Sequence, residues 1–234
     1  LAAVVIIGGI KRIGRIASML VPFMSLLFIA MAFIIIGKNY TAIPETFRLI
    51  FTSAFSSKAV AGGVGGFAFS QIIKKGLARG VFSNEAGLGS SVIAHSASET
   101  REPVKQGLWG IFEVFFDTFV ICTLTALVIL TTNIGSGAYQ NGTFFGTTDA
   151  AGNFAGASDS ATALSAFSSN LGTFGTVTFL IILPLFAFTT VLAWSYYGEK
   201  AVDFCFHHLP ESKRKIPVLI FKIIFILLIV FSSL

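Results

Sequence analysis

The chain has 234 residues, 54% of them hydrophobic and 12% charged, where a soluble domain carries roughly 25% charged residues. With a mean hydropathy of +0.84, that composition excludes an ordinary water-soluble fold and identifies an integral membrane protein. The net charge of +5 does not indicate a nucleic-acid partner, because the basic residues are sorted by loop, which is a topology signal.

In chain order, residues 1–7 (LAAVVII) read as the end of an earlier span, not as the n-region and h-region of a signal peptide. The run FILLIVFSSL at the other end reads as a span cut short, which makes the chain a fragment. Gly8 to Ser18 form a basic connection with Lys11, Arg12 and Arg15. Met19 to Gly37 supplies the roughly 20 apolar residues that a bilayer-crossing helix needs. Pro22 falls in its first turn, where a missing N–H costs little. Lys38 to Lys58 is a mixed connection; its TAIPETFRLIFTSAF portion is suited to lie in the interface as a short amphipathic helix.

Ala59 to Ile73 is the next span, and it carries two glycine pairs, Gly62-Gly63 and Gly65-Gly66. Each glycine costs a helix roughly 1 kcal/mol relative to alanine, so this spacing predicts an unwound turn. Irregular backbone is tolerated in a membrane only where protein buries it or where it lines a cavity. A glycine-broken span is therefore a pointer to a transporter's binding site. Lys74 to Gln106 is polar and glycine-rich and reads as a structured loop at the membrane edge. Arg79 and Glu85 are placed to pair across it, Asn84 to cap a turn, and Ser96 to Glu99 spell a capping box. His95 beside the box reads as a packing residue.

Gly107 to Thr132 is a further span, entered after Pro103, which suits a helix start. Glu113 and Asp117 share one of its faces. Acids inside a membrane default to a functional reading; Glu113 is near enough to the start to pair with Lys105 or Arg101, which leaves Asp117 the more suggestive. Asn133 to Asn170 is a long loop without Lys or Arg.

Leu171 to Tyr197 is a span interrupted by Pro184, which cannot donate to the carbonyl of Leu180 and should loosen the helix. Thr189 and Thr190 lie just beyond. Their hydroxyls either offer hard oxygen ligands to an alkali ion or both bond back to carbonyls four residues earlier. Trp194 shares a face with Thr190, and either walls a pocket or joins Tyr196 and Tyr197 in an interfacial aromatic belt. Glu199 to Lys215 is charged, and Ile216 to Leu234 enters a last span in which Lys222 is expected to snorkel. Cys122 and Cys205 fall at different levels, so neither a disulfide nor a metal site is expected.

Segments 8–18, 74–106 and 198–215 together hold twelve Lys and Arg, whereas 38–58 and 133–170 hold three. The alternation fits five crossings and puts the basic side in the cytoplasm. GLGSS lacks the lysine of a phosphate loop, and no His/Cys cluster, nucleophile elbow or paired-carboxylate pattern occurs. The residues offer no enzyme and no cofactor site.

GLARGVFSNEAGLGSSVIAHSASETREPVKQG (Gly76 to Gly107), with FTTVLAWSYYGEKA (Phe188 to Ala201) and GGIKRI (Gly8 to Ile13), resembles the sodium:alanine (alanine or glycine:cation) symporter family. The resemblance spans essentially the whole chain. It implies an all-α membrane protein of the leucine-transporter type, with two inverted five-helix repeats, here incomplete. Residues 1–37 would end the first repeat (helices four and five), 38–58 would connect outside the cell, and 59–234 would hold helices six to nine. It implies uptake of a small neutral amino acid driven by sodium across the plasma (inner) membrane.

By the same resemblance, Gly62, Gly63, Gly65 and Gly66 match the unwound middle of helix six, where backbone meets substrate. Thr189 and Thr190, with the carbonyl of Phe186, match the helix-eight half of a sodium site, and Trp194 matches a side chain near the pocket. The remaining ligands would come from helices of the same protein outside this chain. An ion channel and a non-transporting membrane scaffold are the competing readings. Arg79, Asn84 and Glu85 would belong to a structural clasp at the inward gate.

Overall fold

The computed structural model describes residues 2–54, 74, 76–78, 80–85, 87–137, 146–148, 154–156 and 159–232. Helix α1 is Ala2–Ile7 and α2 is Gly9–Lys38, followed by a 3-10 turn, Tyr40–Ala42, and α3, Ile43–Ala54. The described residues of 74–84 are helical. Then come α4, Ser90–His95, and α5, Pro103–Gly135. A short antiparallel hairpin, β1 Gly146–Thr148 with β2 Phe154–Gly156, precedes α6, Asp159–Cys205, and α7, Glu211–Ser232. Within the described residues, four helical stretches are long and apolar enough to cross a membrane: α2, α5, Ser160–Cys205 of α6, and Ser212–Ser232 of α7. The chain is thus a helical, multi-pass membrane protein. The expected glycine-broken span, 59–73, lies outside the described residues, and the hairpin inside the long 133–170 stretch is an addition to the all-α expectation.

The helices are longer than hydropathy suggests. Lys11, Arg12 and Arg15 are already inside α2, because Lys and Arg are good helix formers. The connection before α2 shrinks to a turn at Gly8, and Gly9, the first residue of α2, has a φ of +71°. The Arg12 guanidinium reaches back 3.0 Å to the carbonyl of Val4 and satisfies one of the orphan acceptors at the end of α1. The segment 38–58 does contain the expected amphipathic helix, α3, with an exposed Glu45–Arg48 pair at 2.6 Å. In the polar stretch the described residues of 74–84 are helical, while Glu85 (φ +52°), Gly87 (+78°) and Gly89 (+75°) are not.

Two further expectations are corrected. Ser96 is no capping-box residue: it follows the last turn of α4 and its hydroxyl donates back to the carbonyl of Ile93 at 2.8 Å. The next helix waits for Pro103, whose ring presets φ and whose absent N–H is an orphan anyway. In α6 the interruption is not at Pro184, through which the helix continues, but at Gly172, with φ 59° and ψ −143°. Proline keeps a helical φ and forfeits one hydrogen bond, a loss that membrane helices absorb. Only glycine adopts the left-handed turn at no steric cost.

The chain forms two compact units. The first comprises Leu1–Leu26, Leu88–Gly110 and Ile182–Leu234. Its core packs Val5, Ile6 and Ile13 against Leu192 and Tyr196, with Phe225 and Ile229 of α7 alongside. Tyr196 is 4% exposed, so it is a core residue and no member of an interfacial belt. It lies one helical turn from Leu192 on the buried face. Lys222 does not snorkel either. Its ammonium meets the Glu199 carboxylate of α6 at 3.0 Å, the two side chains being 12% and 22% exposed. Two turns earlier in α7, Arg214 faces Asp203 of α6 at 3.8 Å.

The second unit comprises Leu27–Gly87 and Ile111–Ile181. Phe167 stacks between Phe28 (5.7 Å) and Phe179 (4.9 Å) at its centre. At one end of this core, Asn170 joins three helices. Its backbone carbonyl accepts from Lys38, its side-chain oxygen accepts from Asn39 at 2.6 Å, and its side-chain nitrogen donates to Thr132 at 2.8 Å.

The orientation has a direct test. In a full-length variant whose native Cys122 and Cys205 are replaced by alanine, a cysteine at Gly137 should react with an impermeant thiol reagent from outside the cell. One at Ser98 should react only after the membrane is opened. The reverse pattern would invert the topology argued from the uneven basic residues.

Candidate functional site

Two oxygen-rich groups stand out on otherwise apolar helices. The first is on α6. Thr189 and Thr190 are consecutive, and both hydroxyls donate to one acceptor, the carbonyl of Phe186, each at 2.9 Å. The other threonines behave differently. Thr125, Thr131, Thr132 and Thr178 each donate to the carbonyl four residues earlier, one acceptor apiece. That single back-bond is the ordinary way a membrane helix satisfies a hydroxyl. Sharing one carbonyl instead brings two hydroxyl oxygens within hydrogen-bond distance of the same carbonyl oxygen. An alkali ion held in such a cluster would be met by the hydroxyl lone pairs, the two hydroxyls keeping their protons and turning them away from the carbonyl. The donor set is chemically suited to sodium, since hydroxyl and carbonyl oxygens are hard ligands and carry no charge to attract a divalent ion.

The hydroxyls therefore bond back, Thr190 to the carbonyl four residues earlier and Thr189, against expectation, to the one three residues earlier, and the shared acceptor is Phe186. Trp194 is 39% exposed on the same helix and meets Tyr197 edge-on, with ring centroids 5.8 Å apart. Pro184 contributes no break here, as described above.

The second group lies where the helical end of the polar stretch meets α5. Ser83 Oγ donates to Asp117 Oδ2 at 2.6 Å, and Thr118 Oγ1 donates to Asn84 Oδ1 at 2.8 Å. Asn84 also donates its amide to the carbonyl of Gly80 at 2.9 Å, closing the last helical turn as the expected cap would. Asp117 sits in a π-helical segment, Phe116–Cys122, inside α5. The sequence singles out Asp117 as an intramembrane acid, but nothing in it pairs that residue with Ser83. Glu113 precedes the π segment by one turn, and Lys105, one of its two expected partners, pairs with Glu102 at 2.9 Å.

Not every predicted residue falls in view. Gly62, Gly63, Gly65, Gly66 and Arg79 lie outside the described residues. Glu85 is described and adopts the left-handed region at φ +52°, rare for a non-glycine residue. His95 does pack structurally: its Nδ1 meets Gln106 Nε2 at 2.7 Å, and Gln106 also accepts from Ser98 at 2.9 Å. Among the described residues no group of His, Cys, Asp and Glu is arranged to hold a transition metal. Cys122 and Cys205 are both free thiols.

Comparison with known proteins adds the following. The profile of the sodium:alanine symporter family matches residues 1–234. A protein of Haemophilus influenzae named "Uncharacterized transporter" is 40% identical over 210 residues, 89% of this chain and 41% of its own length. The "Sodium/alanine symporter AgcS" of Methanococcus maripaludis is 40% identical over 225 residues, 96% of this chain and 44% of its own. The "Probable sodium/glutamine symporter GlnT" of Bacillus subtilis is 36% identical over 228 residues, 97% of this chain and 42% of its own. The chain spans about two fifths of the length of the curated relatives it matches.

Proposed function

The chain belongs to the sodium:alanine symporter family, and from that premise we propose that it is the middle-to-second-half portion of a secondary transporter. That family is one of transporters, not of enzymes. In our reading, sodium entry drives uptake of a small neutral amino acid, alanine or glycine, by alternating access at the plasma membrane. The fold would be the leucine-transporter type, with residues 1–37 ending the first inverted repeat and 59–234 carrying most of the second. Repeats of this kind are related by symmetry and do not have to coincide with compact units.

The observation that carries the reading is the convergence of Thr189 and Thr190 on the carbonyl of Phe186. It supplies half of an alkali-ion site on a membrane-length helix, and helices elsewhere in the full protein would supply the rest. Gly62 to Gly66 would present backbone groups to the substrate, with Trp194 as a wall. Arg79 and Glu85 would form a structural clasp at the inward gate, with Asn84 as its cap.

The test uses the full-length protein in liposomes, with uptake of radiolabelled alanine measured under an inward sodium gradient and under an equal potassium gradient. Uptake should require sodium, and unlabelled alanine or glycine should compete better than glutamine. Strong competition by glutamine would redirect the substrate toward that named for the Bacillus relative. Sodium flux without amino acid would favour a channel, and no flux of either would favour a scaffold.

A further inference from the structure

We propose that Ser83, Asn84, Asp117 and Thr118 form a second monovalent-cation site, built between the helical end at 80–84 and the π-helical segment of α5. Two consecutive residues on one segment meet two consecutive residues on the other, through Ser83–Asp117 at 2.6 Å and Asn84–Thr118 at 2.8 Å. The group brings together a carboxylate, two hydroxyls and an amide carbonyl. The Asn84 amide nitrogen is engaged by the carbonyl of Gly80 at 2.9 Å, so the side-chain oxygen is the atom turned toward Thr118. All four side chains thus present oxygen at the junction.

The backbone under Asp117 is itself unusual. A π-helical turn shifts the hydrogen-bond ladder by one residue, and such turns occur frequently at functional sites. The Thr123 hydroxyl reaches the carbonyl of Thr118 at 3.4 Å, across the altered ladder. The segment also places a carboxylate inside a helix that crosses the membrane. A charge there is expensive, and it persists where a counter-charge or a water-filled path meets it.

The donor chemistry selects the occupant. Carboxylate, hydroxyl and amide oxygens are hard ligands that suit hard cations. One carboxylate among neutral oxygens balances a single positive charge, whereas sites for calcium assemble several carboxylates. With an ion present, the hydroxyl protons of Ser83 and Thr118 rotate away and their lone pairs face it. The Cys122 sulfur, 4.0 Å from Ser83 Oγ, is a soft donor and stays at the rim. Because sodium is the ion named above, the choice of ion rests on the proposed sodium coupling.

The experiment is equilibrium binding of radiolabelled sodium to the purified full-length protein, with size-exclusion profiles confirming that each variant is folded. The wild type should bind two sodium ions per chain. Asp117→Asn keeps an acceptor for Ser83 and removes only the charge; it should bind one, whereas Thr190→Ala should weaken the other site about five- to a hundredfold and the double variant should keep only that weakened site. Ser83→Ala, a milder change, should weaken one of the two sites roughly tenfold, the loss of one hydrogen-bonding ligand. Asp117→Asn with the wild-type number of ions and unchanged affinity would overturn the site. A single ion lost in Asp117→Asn and kept in Thr190→Ala would sustain this site and overturn the one on α6. A single ion with the opposite dependence would overturn this site alone, and no bound sodium would overturn both.

Discussion

Thr190→Ala in the full-length protein should raise the sodium concentration for half-maximal uptake about five- to a hundredfold. The substitution removes one oxygen from the trio at Phe186 without adding bulk. A lost polar contact costs about 1–3 kcal/mol, and each 1.4 kcal/mol is about tenfold in affinity. Thr189 still bonds to the same carbonyl, so the helix keeps its local geometry. Amino-acid affinity at saturating sodium should move much less, since coupling acts through ion occupancy. Should the variant keep its sodium dependence while its amino-acid affinity collapses, Thr190 belongs to the substrate pocket and the ion assignment is wrong.

Lys222→Met should lower the stability of the full-length protein by about 3 kcal/mol, the range for breaking a poorly solvated ion pair by removing one partner. The Glu199 carboxylate would then remain at a helix crossing with little water. The crossing is tight: a Cβ added at Gly198 would come within 2.2 Å of the Phe221 ring, so Glu199 has little room to find another partner. Replacing both partners, Glu199→Gln with Lys222→Met, should recover most of the loss, because no unpaired charge is left. Thermal unfolding in detergent, followed by loss of the monodisperse peak, reads the order of the variants. If Lys222→Met melts with the wild type, the lysine is solvated at the interface and the pair contributes nothing. The outcome bears on the ion site as well, since α6 carries both Thr190 and Glu199.

The expectations that succeeded rest on local chemistry that adds up along the chain. Long apolar runs at 19–37, 107–132, 171–197 and 216–234 each became part of a membrane-length helix, because in lipid the backbone must satisfy itself within a segment. The back-bonding of Thr189 and Thr190 was legible for a similar reason: helix hydroxyls reach carbonyls three or four residues back. Here those two distances end on the same atom, Phe186 O. Asp117 was legible as an acid where acids are costly.

What failed depended on partners distant in sequence or on competition between nearby breakers. Hydropathy sees Lys222 as a cation needing water; only the crossing of α6 and α7 puts Glu199 at 3.0 Å. Tyr196 reads as an interfacial aromatic until Val5 and Ile13 cover it. Pro184 and Gly172 are both plausible breaks, and the choice fell to the glycine because it alone takes a φ of 59° without strain.

By itself, then, the sequence determined membrane residence and the main apolar crossings. Each of these follows from the free energy of placing a given side chain in lipid or water, which depends on residue type and spacing. The tertiary structure alone decided that Ser83 meets Asp117 and that Asn84 meets Thr118, across 34 residues of chain. It alone tied Asn170 to Asn39 and Thr132. A polar side chain in a membrane protein accepts any partner that relieves its desolvation. Which partner it meets is set by helix packing, and periodicity along one segment carries no record of that.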